Sequence, residues 1–205
     1  MNMYGLKISA VLLALFAAPS VVLAAETPDC HVGSYKLADG SLVDVAPGDD
    51  EGMLRWTRFN GTTGQLHRSS AGKAWSSTAG WSQTADGMSV SFPDCDSGDV
   101  DFNGVSGHRI PFDVKNLSFV GHGVQLAGRL TLPQGTDKVP VVVLVHGADT
   151  TPTLGSNGVM STLQRLLPAQ GVGVFAYDKR GTGKSSGKYT QDYGLLADDA
   201  DAALD

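Results

Sequence analysis

The sequence has no excess of positive charge, only two cysteines, and no internal hydrophobic run long enough to cross a membrane. Its 21 acidic and 15 basic side chains give a formal net charge of −6, which argues against nucleic acid or an anionic membrane surface as a partner. The two cysteines have no histidine at metal-ligand spacing, so neither a metal site nor another cofactor is expected. The 205 residues, 41% of them apolar, suffice for one large or two small globular domains.

The longest apolar run lies at the amino terminus. Lys7 precedes mostly apolar residues 8–23, and small residues follow from Ala24. Pro19 keeps the run below the ~20 residues that a membrane span needs. A basic residue, an apolar stretch and a small-residue cleavage site are typical of a secretory signal peptide. Residues 1–25 are therefore predicted to be cleaved, leaving a periplasmic or secreted protein without a stable membrane anchor.

Export gives the two cysteines a structural meaning. An even pair in an oxidising compartment most simply forms a disulfide, here between Cys30 and Cys95. Closing a loop of that size would stabilise the fold by about 4 kcal/mol on the chain-entropy model. The alternative is two unrelated buried thiols.

Residues 26–112 are predicted to form a β-rich region without helices. Asp39-Gly40 and Asn60-Gly61 separate alternating segments, which is a strong hairpin signal because tight turns need positive φ angles. We expect a small antiparallel sheet or sandwich held by the disulfide.

Three tryptophans lie in this β-rich region: Trp56, Trp75 and Trp81. They could form a face that binds sugar or lipid. We favour a role in the core, because a small sheet has few other large apolar side chains.

The pattern changes after Pro111, and residues 113–205 are predicted to form an α/β domain. Two strands flank the turn at residues 121–123, and two unbroken apolar runs follow, at residues 139–145 and 172–177. Such runs are typical of strands buried on both faces. Helical spacing predicts one helix between these runs and a second from near Thr190 to the end of the chain.

Three residues that follow the first apolar run suit an oxyanion site: His146, Gly147 and Ala148. The carboxyl ends of strands are where α/β sheets place ligand-binding groups. A glycine there lets backbone N–H groups turn toward a ligand, and each preorganised donor can lower a barrier by about 3 kcal/mol. By themselves these residues are explained equally well by a tight strand-to-helix turn.

A second motif makes the interpretation more specific. The next strand runs into Phe-Ala-Tyr-Asp-Lys-Arg-Gly-Thr-Gly-Lys-Ser-Ser-Gly at residues 175–187. With Val-Leu-Val-His-Gly at residues 143–147, it resembles the α/β-hydrolase family, in particular exported bacterial serine hydrolases of the esterase- or peptidase-like branch. In that family one strand ends in His-Gly at the oxyanion loop, and the next ends in Asp-x-Arg-Gly-x-Gly-x-Ser. The resemblance covers residues 112–205.

The resemblance implies a fold class and a role for each matching residue. The fold would be a partial α/β-hydrolase sheet with helices, preceded by the small β-rich region. The backbone N–H of Ala148 would be an oxyanion donor. The other motif residues are expected to be structural: His146, Gly147, Asp178, Arg180, Gly181 and Gly183. A contact between Arg180 and substrate is the alternative for that residue.

The catalytic triad of the family does not match any part of this sequence. Its serine, acid and histidine follow on later strands and loops, beyond the helix that reaches Asp205. We therefore expect an inactive amino-terminal part of a hydrolase whose substrate is a small-molecule ester or, with less support, an amide or peptide. We also expect poor folding of the second region, because the strand ending at Tyr177 would be an open edge. The alternative is an exported β-rich binding module on a non-catalytic scaffold. The sequence predicts no oligomeric state.

Two motif matches are interpreted as coincidences. Residues 183–187 fit Gly-x-Ser-x-Gly, but Ser185 lies in a loop and not between a strand and a helix. A phosphate-binding loop would need glycine at position 178, where a carboxylate stands.

The last predicted helix carries four acidic residues, and their simplest interpretation is a solvated face. These are Asp198, Asp199, Asp201 and Asp205.

Overall fold

The computed structural model describes residues 29–69, 74–135, 138–147, 149–155 and 160–205. The predicted signal peptide lies outside these residues. The described part is mostly β structure, with twelve strands and two helices, and none of its helices is both long and apolar enough to span a membrane.

The first eight strands form a closed barrel. They are β1 (Gly33–Leu37), β2 (Leu42–Pro47), β3 (Leu54–Arg58), β4 (Thr63–Arg68), β5 (Ala74–Ala79), β6 (Ala85–Ser91), β7 (Asp99–Phe102) and β8 (Val105–Arg109). Each strand is antiparallel to the next, and β1 also pairs with β8. The predicted turns at Gly40 and Gly61 are confirmed, with φ of +83° and +85°. The expected antiparallel pairing is confirmed, but the strands close into a barrel, which pairs the two edges that a simple sheet or a sandwich would expose.

Large side chains fill the inside of the barrel. Trp56 and Trp75 are buried there with Phe102, as expected for an eight-stranded barrel whose interior is just wide enough for side chains. The prediction of a core role is wrong for Trp81, which is 70% exposed. Its ring lies outside the barrel, 3.4 Å from the guanidinium carbon of Arg55.

The predicted disulfide is confirmed. Cys30 and Cys95 are bonded, with Cα atoms 5.3 Å apart. The bond joins the segment before β1 to the loop between β6 and β7, so it fixes the amino-terminal end of the barrel.

Four further strands form a second sheet: β9 (Phe112–Gly121), β10 (Val124–Pro133), β11 (Val141–Leu144) and β12 (Gly173–Tyr177). Their order is β11-β12-β10-β9. The hairpin around residues 121–123 is confirmed. The strands β11 and β12 are parallel, whereas β12 and β10 are antiparallel.

The two helices lie on opposite faces of this sheet. Helix α1 (Leu163–Ala169) packs with Val174 and Ala176 of β12. Helix α2 (Tyr193–Ala202) contacts β9, and the residues after it line a cavity together with Phe175. Because side chains alternate along a strand, Phe175 faces away from Val174 and Ala176.

The predicted burial of both apolar runs is correct for β12 and wrong for β11. In the described structure β11 is an edge strand, and Val145 just after it is 50% exposed. The expectation that the strand ending at Tyr177 would be the open edge is also wrong, because β12 lies between β10 and β11. The α/β class is therefore correct only in part, since the helices leave much of the sheet uncovered and the barrel is the larger β structure.

A buried ion pair joins the barrel to the second sheet. Arg165 of α1 donates from Nε and Nη2 to the two carboxylate oxygens of Asp44 on β2, at 2.7 and 2.8 Å. Ser34 also donates to Asp44 at 3.0 Å, and the Asp44 side chain is fully buried. The helix between the two parallel strands is therefore anchored to the barrel.

Candidate functional site

The two sequence motifs lie side by side at the carboxyl ends of two adjacent strands in the second sheet. Because β11 and β12 are parallel, their carboxyl ends meet there, which is where open α/β sheets bind ligands. His146 and Gly147 follow β11, and the Asp178 loop follows β12. Ala148, predicted as the oxyanion donor, lies outside the described residues, so its role stays a prediction.

Asp178 holds the two loops together. Its Oδ1 accepts backbone hydrogen bonds from Thr153 and Leu154 at 2.8 and 3.0 Å. Its Oδ2 accepts one from the backbone of Lys184 at 2.9 Å. The carboxylate is buried. Its two oxygens accept hydrogen bonds from three backbone N–H groups, two in the connection between β11 and α1 and one in the connection between β12 and α2.

The glycines of the motif make this arrangement possible. Gly183 has a φ of +50°, and a Cβ there would collide with the Asp178 carboxylate. Gly181 has a φ of +71°, and a Cβ there would collide with the backbone of Tyr189. Both positions therefore require glycine, because the backbone is in the left-handed conformation and there is no room for a side chain.

Gly183→Ala is expected to lower the free energy of unfolding by about 2–4 kcal/mol, because left-handed strain and a collision add together. Gly123→Ala is the matched control. Gly123 has a φ of +77° with open space around the added Cβ, so its loss should be about 1–2 kcal/mol from strain alone. Urea denaturation of the two variants measures the difference. Equal losses would contradict a close packing of Gly183 against Asp178.

Ser185 is part of the loop's support. Its hydroxyl donates to the carbonyl oxygen of Asp178 and accepts from the backbone N–H of Ala127 at 2.9 Å. These bonds attach the loop to β10. Among the described residues, no hydrogen bond joins a serine hydroxyl to a histidine ring.

Arg180 forms a buried ion pair with a residue of α2. Its Nε lies 2.6 Å from one carboxylate oxygen of Asp199, its Nη2 donates to the other, and the hydrogen bond raises the pKa of Arg180. Asp199 also accepts from the backbone N–H of His122 at 3.1 Å. The interpretation of the acidic cluster as a solvated face is therefore wrong for Asp199, which is fully buried.

Lys179 is a site residue that the motif analysis missed. Its ammonium donates to the carbonyl oxygens of Gly147 and Asp149, the latter at 2.9 Å. Burial lowers the pKa of Lys179, and the charge of Asp149 opposes that change. The side chain thus fixes two carbonyl groups of the loop after β11, on either side of the predicted oxyanion donor.

His146 is buried beneath the same loop. Neither of its ring nitrogens has a hydrogen-bond partner among the described residues. Burial and the nearby charge of Lys179 lower the pKa of His146, which favours a neutral ring. The ring borders a mostly apolar cavity of about 330 Å³ that also contacts Tyr177 and Leu196.

Comparisons with known proteins point to hydrolases. A segment of 72 residues, 34% of this chain, is 35% identical to Esterase EstD from Thermotoga maritima and covers 16% of that protein. This identity supports an α/β-hydrolase-like relationship. The chain spans about a sixth of the length of the curated relative that it matches, and no family model matches it.

Two solved structures align with part of the chain. Est1E from Butyrivibrio proteoclasticus, solved with ferulic acid, is 24% identical with a TM-score of 0.37, over 43% of this chain and 35% of its own. An acylaminoacyl peptidase from Pyrococcus horikoshii is 16% identical with a TM-score of 0.35, over 79% of this chain and 30% of its own.

Proposed function

We propose that this chain is the amino-terminal part of a periplasmic or secreted serine hydrolase that cleaves small-molecule esters, with amides or peptides as the less supported substrates. The observation that carries the proposal is the Asp178 carboxylate, which locks the His146-Gly147 loop to the Asp-x-Arg-Gly loop through three backbone N–H groups. The identity to an esterase supports the same class. The disulfide supports export.

The role proposed for the described loops is to hold an oxyanion donor rigidly. A serine nucleophile would attack the ester carbonyl and form an acyl-enzyme, which water would then hydrolyse. The N–H of Ala148 would stabilise the charge on the tetrahedral intermediate. Lys179 and Asp178 support the proposal because they fix the loop on both sides of that position. The serine, acid and histidine would come from residues beyond Asp205.

In this proposal residues 26–112 form a separate amino-terminal domain and residues 113–205 the first part of the catalytic domain. The sheet is consistent with that division, because its parallel pair ends at β11, whose outer edge is unpaired among the described strands. An additional strand pairing there would satisfy the backbone groups at the outer edge of β11.

The test begins with the coding sequence downstream of Asp205 and continues with ester hydrolysis. The 205-residue chain should hydrolyse p-nitrophenyl acetate no faster than buffer. A longer product that includes a Gly-x-Ser-x-Gly elbow should hydrolyse it and lose activity on treatment with a serine-directed organophosphate. In that product Ala148→Pro, which removes the N–H, should lower kcat by about 10²–10³-fold. Ser185→Ala removes two hydrogen bonds of the supporting loop, but the product should still react with the organophosphate, since Ser185 is not the nucleophile.

The alternative function is an exported β-rich binding module on a non-catalytic scaffold. The exposed ring of Trp81 favours it, because an aromatic face over a guanidinium is a platform for stacking ligands. A reading frame without a nucleophile elbow, or a longer product without organophosphate-sensitive turnover, would reject the hydrolase and favour this function.

A further inference from the structure

A second cavity lies where the barrel meets the sheet, and Gly155 and Ser161 of the connection between β11 and α1 form one side of it. Its volume is about 270 Å³, and its walls come from β1, β8, β9, β10 and α1. Ligand pockets for drug-sized molecules are typically about 300–1,000 Å³. This cavity is therefore suited to a small ligand or to one end of a larger one.

Three arginines line this junction cavity: Arg109, Arg129 and Arg165. Among the described residues, Arg165 alone has a counter-charge, the buried carboxylate of Asp44. Neither of the other two forms an ion pair with any described carboxylate. The part of the cavity that the structure describes therefore holds two guanidinium groups without an ion-pair partner, although the whole chain has a formal net charge of −6.

The described partners of these two arginines are neutral. Arg109 donates from Nη2 to the carbonyl oxygen of Cys95 at 2.8 Å. Arg129 donates from Nε to the amide oxygen of Asn116 at 3.2 Å. A guanidinium has five N–H donors in a planar fork that matches the geometry of carboxylate and phosphate oxygens. Donors therefore remain on both side chains for an anion placed between them.

The elements around the cavity hold these charges in place. Arg109 lies across Gly33 and Gly98, where an added Cβ would come within 2.8 and 3.3 Å of its side chain. Arg129 extends from the central part of β10, opposite Ala176 of β12. The ion pair between Asp44 and Arg165 closes the side next to α1. Arg109 thus comes from the barrel and Arg129 from the second sheet, and the ion pair between Asp44 and Arg165 joins these two units.

We propose that this junction cavity binds a small oxyanion, either a phosphate or a carboxylate, between Arg109 and Arg129. Bidentate hydrogen bonds from fixed guanidinium groups provide both affinity and orientation. An anion there would also relieve the repulsion between two like charges that share one partly enclosed space. Binding would strengthen the contact between barrel and sheet, because each contributes one arginine.

The test is a titration of the purified chain with inorganic phosphate and, separately, with acetate, followed by NMR of the arginine Nε–H groups. Sodium chloride keeps the ionic strength constant, so general screening does not change along the titration. The expected result is a saturable shift of the Arg109 and Arg129 signals with at least one of the two anions. Saturation with phosphate alone assigns a phosphate site, and saturation with acetate alone assigns a carboxylate site.

Arg129→Gln is the decisive variant, because Arg129 is partly exposed and makes one neutral hydrogen bond, so its loss should not unfold the chain. It should weaken anion binding about tenfold or more, as expected for lost charged hydrogen bonds. The anion affinity of Arg129→Lys should fall between those of Arg129→Gln and the unaltered chain. Lysine keeps the positive charge but lacks the planar set of guanidinium donors. Arg68→Gln, on an exposed barrel position, should change binding less than twofold. Unsaturable shifts with both anions, or equal weakening by Arg68→Gln and Arg129→Gln, would overturn the proposal.

Discussion

Asp199→Ala is expected to lower the free energy of unfolding of the second sheet by about 3–5 kcal/mol. The substitution removes the carboxylate that pairs with Arg180, and that guanidinium is almost fully buried. It also removes the acceptor of the His122 backbone N–H. Removing Asp199 leaves the Arg180 charge buried without a partner. The resulting loss of unfolding free energy is therefore larger than the loss on breaking an exposed ion pair. Hydrogen exchange of the β12 amides measures the change where α2 and the loop meet the sheet.

Asp198→Ala is the matched control on the same helix. Its carboxylate is exposed and lies 3.8 Å from the His122 ring, so its loss should be below about 0.5–1 kcal/mol. The double variant Arg180→Met with Asp199→Leu should recover most of the stability, because it removes both charges together. All three tryptophans lie in the barrel segment, so tryptophan fluorescence follows the barrel separately. If Asp199→Ala and Asp198→Ala have equal effects on β12 exchange, the buried pair does not support the loop.

The hairpins of this fold could be predicted because their signals are local. Asp39-Gly40 and Asn60-Gly61 occupy tight turns, and both glycines have positive φ. Barrel closure has no such signal. It requires Tyr35 of β1 to pair with Arg109 of β8, and no turn motif connects segments so far apart in sequence. Alternating segments fit an open sheet, a sandwich and a barrel equally well.

The apolar run at β11 shows a different limit. Its composition predicts burial, and side-chain composition alone does not tell an edge strand from a central one. The exposure of Val141 and Val145 depends on which elements pack against that face of the sheet, and the run itself carries no signal for them.

The support of the candidate site was only partly predictable. The motif identified Asp178 and Arg180 but not their partners. Asp199 could have been found, because it lies three residues after Leu196 and so belongs to the face of α2 that meets the sheet. Lys179 occupies the variable position of Asp-x-Arg, and its contact with the loop after β11 depends on two chain segments about thirty residues apart. Sequence patterns locate such loops but do not show which side chain spans them.

Arg165→Met is expected to destabilise the chain by about 3–5 kcal/mol near neutral pH and by much less near pH 4. Burial raises the pKa of Asp44, and the hydrogen bonds and charge of Arg165 oppose that change. Without Arg165 the pKa rises further. A carboxyl group whose pKa is higher in the folded state loses stability as pH rises from its unfolded value of about 3.9 through its folded value. The extra loss should approach about 1.4 kcal/mol per pH unit across that window.

Urea denaturation at about pH 4.5 and about pH 7.5 measures this pH dependence. Chloride buffers are required, because Arg165 also lines the junction cavity and phosphate binding would add stability of its own. Arg68→Met, which removes an exposed guanidinium, should have a small effect at both pH values. The double variant Asp44→Asn with Arg165→Met should lose this extra pH dependence, since the carboxyl group that loses its partner in Arg165→Met is no longer present. A loss that is equal at both pH values in Arg165→Met would show that packing of the long side chain, and not the charge of Asp44, holds α1 against the barrel.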